Sequence, residues 1–158
     1  MGFGALSLKG RALRYLAQRE HSRAELERKL ARHAEDSPAA SAQAQIAAAL
    51  DDLAAKGLLS EARVAESVLL SQGRRYGVRR LRQTMQAKGL APELVAHTLQ
   101  QARATELERA QEVWRRRYGS APADAAERAR QMRFLAGRGF EGDVIRRVVQ
   151  GSSDDPDD

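Results

Sequence analysis

Gly73-Arg74-Arg75-Tyr76-Gly77-Val78-Arg79-Arg80-Leu81-Arg82-Gln83-Thr84-Met85-Gln86-Ala87-Lys88-Gly89-Leu90 is the stretch from which the fold can be read. At 100° per residue, Val78, Leu81 and Met85 fall on one narrow apolar face, so a helix with a single buried stripe starts at Val78. Arg79, Arg82 and Gln86 lie along one flank of that stripe, and Arg80 points away from it. Gly89 suits a left-handed cap, with Leu90 folding back onto the helix end. From Arg74 to Arg82 there are five arginines in nine residues and no acid. The segment packs on one side and offers arginine on the other.

The same punctuation recurs downstream. Lys88-Gly89-Leu90-Ala91-Pro92-Glu93-Leu94-Val95 corresponds to Arg138-Gly139-Phe140-Glu141-Gly142-Asp143-Val144-Ile145, and Leu99 falls on Val149 in the same register. Arg75-Tyr76-Gly77 returns as Arg117-Tyr118-Gly119. Upstream, Leu26 and Leu30 match Leu81 and Met85, with Ser22 in the place of Gly77. Three units of three helices, each of about 45 residues, account for these matches. A unit of that size does not bury a full core alone, so neighbouring units must stack. The boundaries read as 1–59, 60–103 and 104–150, with 151–158 as a disordered acidic tail.

Composition agrees with an all-α chain. Valine, isoleucine and threonine number 8, 2 and 3 among 158 residues, which leaves little material for strands. Arginine outnumbers lysine 23 to 4, and the formal charge is +6. Residues 61–118 hold 12 basic and 6 acidic side chains, so the excess sits in the middle of the chain and points to a polyanion or an acidic protein surface as partner. There is no cysteine, which excludes disulfide and thiolate chemistry. No apolar run approaches the roughly 18 residues of a membrane span, and the first residues lack the pattern of a signal peptide. A soluble, cytoplasmic protein is expected.

Local signals place the remaining helices. Leu8 to Glu20 carries Ala12, Tyr15 and Leu16 on one face. Ser22-Arg23-Ala24-Glu25 is a capping box that opens the second helix. After a small-residue linker over 31–40, Ser37-Pro38 is the expected start of a third helix. That helix carries Ile46, Leu50 and Leu53, and it ends at Gly57 with Leu58 as its apolar cap. Ser60 caps a fourth, with Val64, Val68 and Leu69 inward. Pro92 fits the first turn of a sixth, with Leu94, Val95 and Leu99 buried. Thr105-Glu106-Leu107-Glu108 and Asp124-Ala125-Ala126-Glu127 read as further capping boxes, and Asp143 to Val149 as a short ninth helix.

Few constellations carry chemistry. Gly137-Arg138-Gly139-Phe140-Glu141-Gly142 matches the dinucleotide fingerprint in letters. That motif needs a strand before it, and here a helix precedes. His21, His33 and His97 stand far apart without metal-ligand spacing and read as surface or cap-proximal. Trp114 reads as core filling, and Tyr76 and Tyr118 as plugs between helices. The chain reads as a non-enzyme with no cofactor and no metal. The candidate binding residues are Arg74, Arg75, Arg79, Arg80, Arg82 and Lys88 in the central stretch, and Arg115, Arg116 and Arg117 further on.

With these residues in view, the sequence resembles the RecX family of recombination regulators. The resemblance rests on Arg19-Glu20-His21-Ser22, Glu25-Leu26-Glu27-Arg28-Lys29-Leu30, Lys56-Gly57-Leu58-Leu59-Ser60-Glu61-Ala62-Arg63 and Tyr76-Gly77-Val78-Arg79-Arg80-Leu81-Arg82-Gln83. Lys88-Gly89-Leu90, Arg117-Tyr118-Gly119 and Arg133-Phe134-Leu135-Ala136-Gly137-Arg138-Gly139-Phe140 complete it over most of 8–150. It implies three tandem three-helix repeats, here expected as an elongated, curved array. It also implies no catalytic activity, and binding to the RecA recombinase filament on single-stranded DNA with restraint of ATP hydrolysis, strand exchange and co-protease activity. Weak electrostatic contact with the DNA and a monomeric state are expected. The alternative is a direct DNA-binding regulator, because tri-helical units can present a helix to the major groove.

Overall fold

The computed structural model describes residues 5–151. They form nine α-helices and no strand: α1 (Leu8–Gln18), α2 (Arg23–Leu30), α3 (Ala42–Ala55), α4 (Glu61–Gln72), α5 (Val78–Ala87), α6 (Pro92–Arg103), α7 (Glu106–Arg117), α8 (Ala125–Gly137) and α9 (Gly142–Gly151). The acidic tail inferred from sequence lies outside the described residues, apart from Gly151. The helices belong to two compact units. Among the described residues, one comprises 5–67 with Ala87–Ala91, the other Val68–Gln86 with 92–151. The turn after α5 therefore belongs with α1–α3, although α5 itself belongs almost wholly to the second unit.

In the first unit, Ala12, Leu26, Leu30, Ile46, Leu50, Leu53 and Leu59 make the core, with Leu8, Tyr15 and Leu16 packed at its edge. Ser22 caps α2 as the capping box requires: its hydroxyl accepts from the Glu25 amide at 3.1 Å, and Glu25 accepts from the Ser22 amide at 3.1 Å. The same hydroxyl donates to the Lys88 carbonyl, and the Lys88 ammonium reaches Glu25 at 3.0 Å. Arg28 donates to the Ala87 carbonyl at 3.2 Å. Glu61, which begins α4, accepts from the Arg23 amide at 2.8 Å. The turn 87–90 is thus seated on the start of α2.

The second unit repeats this joint with other atoms. Its core in α7–α9 is Ala110, Trp114, Leu135, Phe140, Ile145, Val148 and Val149. At the start of α5 the Gly77 amide donates to the Arg138 carbonyl at 2.8 Å, and the Arg79 amide to the Gly139 carbonyl at 2.9 Å. A Cβ on Gly77 would stand 2.5 Å from the Gly139 oxygen and the Phe140 nitrogen, so only glycine allows the approach. Gly139 itself adopts φ 85°, a left-handed cap, with Arg80 backbone against its Cα. Glu106, which begins α7, accepts from the Val78 amide at 3.3 Å and the Glu141 amide at 3.1 Å. One carboxylate thereby satisfies open first-turn donors at the starts of α5 and α9.

Several sequence expectations need correction. The third helix starts at Ala42, capped by Ser41, because Ser37 is held in a local turn by Ala40 and Asp36 takes the Ala42 amide. Leu58 caps α3 through its backbone, its amide donating to the Leu53 carbonyl at 2.9 Å beyond a left-handed Gly57, but its side chain is 44% exposed and Leu59 is the buried neighbour. Thr105 makes no side-chain cap, since its hydroxyl engages the Ala102 carbonyl and the Arg109 guanidinium instead. The first helix stops at Gln18, where the chain turns extended at Arg19. His21, though cap-proximal, is fully buried rather than on the surface: its Nδ1 lies 3.0 Å from the Arg19 carbonyl and its Nε2 3.0 Å from the Lys29 ammonium.

Candidate functional site

The α4–α5 turn positions the central arginines, and a half-buried guanidinium fixes that turn. Arg109 on α7 donates to the Gly73 and Tyr76 carbonyls, both at 2.7 Å, and to the Ala102 carbonyl at 2.8 Å. The Gly73 and Ala102 carbonyls lie at the ends of α4 and α6, where acceptors lack intrahelical donors, and the Tyr76 carbonyl lies in the turn itself. Burial lowers the Arg109 pKa from its ordinary value, while the charge of Glu106 acts in the opposite sense. An arginine in this position remains protonated.

With the turn pinned, Arg74 and Arg75 are exposed and Tyr76 is half-buried. The Tyr76 ring stands among guanidinium groups. It forms a platform for guanidinium groups, with Arg80 4.6 Å, Arg75 5.5 Å and Arg138 5.7 Å from its centroid. Phe134 is a second platform, with Arg138 at 5.2 Å and Arg117 at 5.5 Å. Tyr118 meets Phe134 edge-on at 5.6 Å between centroids. Arg138 links the two rings.

Beside these rings lies a cleft of about 550 Å³. Its walls are Arg74, Arg75, Arg109, Arg116, Arg117, Arg138, Glu108 and Glu112, and its floor is Val113 and Phe134. Four of the nine residues expected from sequence line it: Arg74, Arg75, Arg116 and Arg117. Arg80 adjoins it through Tyr76. Arg79 is exposed and Arg82 half-buried, and neither lines it. Arg115 lies outside the lining and, like Arg116, pairs with Glu112, at 3.3 and 3.0 Å. Such exposed pairs contribute at most about 0.5 kcal/mol each.

Lys88 stands apart. It lies in the first unit, its side chain is only 22% exposed, and its ammonium is committed to Glu25. Burial alone would raise the Glu25 carboxyl, but hydrogen bonds from Arg19, the Ser22 amide and Lys88 outweigh it and hold the pKa at about 2. Sequence reasoning missed Arg109, Arg138 and Phe134. Arg138 was legible in principle, because it occupies the repeat position of Lys88.

Among the described residues, no group of three or more His, Cys, Asp or Glu side chains is placed to hold a metal ion, and no helix is long and apolar enough to cross a membrane. The arginine cleft and the three helical repeats are therefore the features to compare with known proteins. Residues 9–53 match the first three-helix domain of RecX, residues 60–99 the second and residues 104–149 the third. The chain belongs to the RecX family. The regulatory protein RecX of Leptothrix cholodnii is 57% identical over 92% of this chain and 88% of its own length. That of Ralstonia nicotianae is 47% identical over 93% and 89%. The crystal structure of RecX from Lactobacillus salivarius shares the fold with a TM-score of 0.75 at 19% identity, covering 92% of this chain and 94% of that one. The fold is all-α, three three-helix domains in tandem.

Proposed function

We propose that the protein is a non-catalytic regulator that binds the RecA recombinase filament on single-stranded DNA. In this reading it restrains ATP hydrolysis, strand exchange and co-protease activity, and so acts as a negative modulator of homologous recombination and of the SOS response. One observation carries the proposal. Among the described residues no carboxylate pairs with Arg74, Arg75, Arg79, Arg80 or Arg82, in a chain whose relatives are named regulatory proteins. Guanidinium groups without an internal carboxylate are available to the carboxylates and phosphates of a nucleoprotein filament.

The test is the DNA-dependent ATPase of preassembled filaments. The protein should inhibit it at concentrations well below that of the recombinase, and the double variant Arg79→Glu/Arg82→Glu should weaken inhibition while leaving helicity intact. For single-stranded DNA, each phosphate that the variant no longer neutralises should flatten the logarithmic salt slope by about 0.7. A protein that neither binds the filament nor alters its ATPase or strand exchange would end the proposal. A preferred duplex sequence emerging from selection would favour the direct DNA-binding alternative instead.

A further inference from the structure

We infer that the arginine cleft of the second unit is the seat for an acidic segment of a partner protein, with carboxylates on its rim and one apolar side chain on its floor. The partner's identity as the recombinase rests on the function proposed above; the chemistry of the seat does not. DNA is the competing occupant, and four features of the cleft argue against it.

The floor comes first. Val113 and Phe134 are half-buried and apolar, and a phosphate backbone offers nothing to such a surface. A base would have to stack there, but the Phe134 ring already carries the guanidinium groups of Arg117 and Arg138 and the edge of Tyr118. Tyr76 is likewise surrounded, by Arg75, Arg80 and Arg138. The stacking platforms that single-stranded DNA requires are occupied. An aliphatic or aromatic side chain, by contrast, can fill the remaining floor space beside them.

The walls carry both signs. Glu108 and Glu112 line the cleft with the arginines. Phosphates follow one another at every nucleotide and would be driven past both carboxylates. A peptide can place carboxylates against Arg74, Arg75, Arg117 and Arg138 and turn backbone N–H groups toward Glu108, which has no cationic partner among the described residues.

The helix ends point the same way. Cleft residues Arg74, Arg117 and Arg138 lie at the C-terminal ends of α4, α7 and α8. C-terminal ends carry the negative end of the helix dipole, the opposite of the amide cradle that binds phosphate. Finally, a volume of about 550 Å³ holds a few residues of chain rather than a continuous strand. Arg79 and Arg82, outside the cleft and without acids beside them, remain for DNA.

The test uses the full chain and two fluorescent probes read by anisotropy: an octapeptide of glutamate and aspartate around one central phenylalanine, and an oligothymidylate. The peptide should bind. Val113→Asp and the exposed pair Arg74→Ala/Arg75→Ala should each weaken it by about tenfold or more, as expected when an anchor or a set of charge-assisted hydrogen bonds is removed. Both should change oligothymidylate affinity by less than Arg79→Glu/Arg82→Glu does. Replacing the probe's phenylalanine by alanine should also weaken binding. Should Val113→Asp fail to fold, the exposed arginine pair decides alone. The inference is overturned if the peptide does not bind, if oligothymidylate displaces it stoichiometrically, or if the cleft variants affect DNA more than peptide. Cleft variants that lose the peptide yet retain full inhibition of filament ATPase support the seat, remove the recombinase as its partner and leave the proposed function standing. Peptide capture with the predicted specificity but no inhibition by the wild-type protein supports the seat and removes the recombinase as its partner.

Discussion

The turn Ala87–Leu90 and the turn Arg138–Phe140 hold the same place in the repeat, yet different chemistry seats them. The first rests on side chains: the Ser22 hydroxyl, the Lys88–Glu25 ion pair and the Arg28 guanidinium. The second rests on backbone, with the Gly77 and Arg79 amides bonded to the Arg138 and Gly139 carbonyls. One device is common to both. A glutamate at the start of the next three-helix domain, Glu61 on α4 or Glu106 on α7, accepts the first amide of α2 or of α5. A repeat can thus keep the place where a joint forms while changing what holds it, because the docking site is a helix start with unsatisfied amides in either case. A serine there brings its own cap. A glycine exposes the backbone and lets the turn come closer.

The comparison breaks most readily at Gly77. Gly77→Ala forces a Cβ against the Gly139 oxygen and Phe140 nitrogen, and the backbone on both sides must move. The expected loss is about 3 kcal/mol or more, at the top of the overpacking range. Ser22→Ala, at the corresponding position, removes a cap and one further hydrogen bond, for about 1–2 kcal/mol. Denaturant unfolding measures both, with the single Trp114 reporting on the second unit and circular dichroism on the whole chain. Equal losses would mean that the two joints do not differ as their atoms suggest.

Next in size are the shared glutamates. Glu106 is 2% exposed and serves two amides, so Glu106→Ala should cost about 2–4 kcal/mol. Glu61 is half-buried and serves one, so Glu61→Ala should cost about 1 kcal/mol. A Glu61 effect as large as that of Glu106 would show that burial does not set the difference.

Acid separates the joints further. The folded pKa of Glu25, about 2, lies below its ordinary 4.5, so its contribution is complete above pH 4.5 and is lost as the pH falls through 2. His21 adds to this with the same sign. Burial lowers its pKa from 6.5, the nearby charges of Arg19 and Lys29 adding to the effect, and the unfolded chain takes up the proton first. The first unit should therefore loosen between neutral pH and pH 2, and Glu25→Gln should flatten the lower part of that profile. An unchanged profile would show that the ion pairs of Glu25 do not stabilise the joint. The smallest effect belongs to Arg115→Ala, whose exposed pairing with Glu112 contributes about 0.5 kcal/mol or less.

What the residues disclose locally and what they disclose only when folded divide along a physical line. The stripe of Val78, Leu81 and Met85, the capping box at Ser22 and the glycine stops at 89 and 139 involve groups within four or five positions of one another. Backbone geometry alone brings them together, so the sequence determined the helices and their recurrence. Thr105 failed as the head of a capping box because its hydroxyl is held by the Ala102 carbonyl and by Arg109, whose guanidinium is itself fixed on the distant Gly73 and Tyr76 carbonyls. The same limit applies to the site. Arg74 to Arg82 announced themselves by charge, but whether a cation is free depends on neighbours far along the chain. Lys88 is drawn to Glu25 across 63 positions, and Arg109 to Gly73 across 36. Only the tertiary structure placed Arg138 between two aromatic rings and gathered the ends of α4, α7 and α8 around Phe134. The reason is that a cleft is made by elements whose packing no local period records.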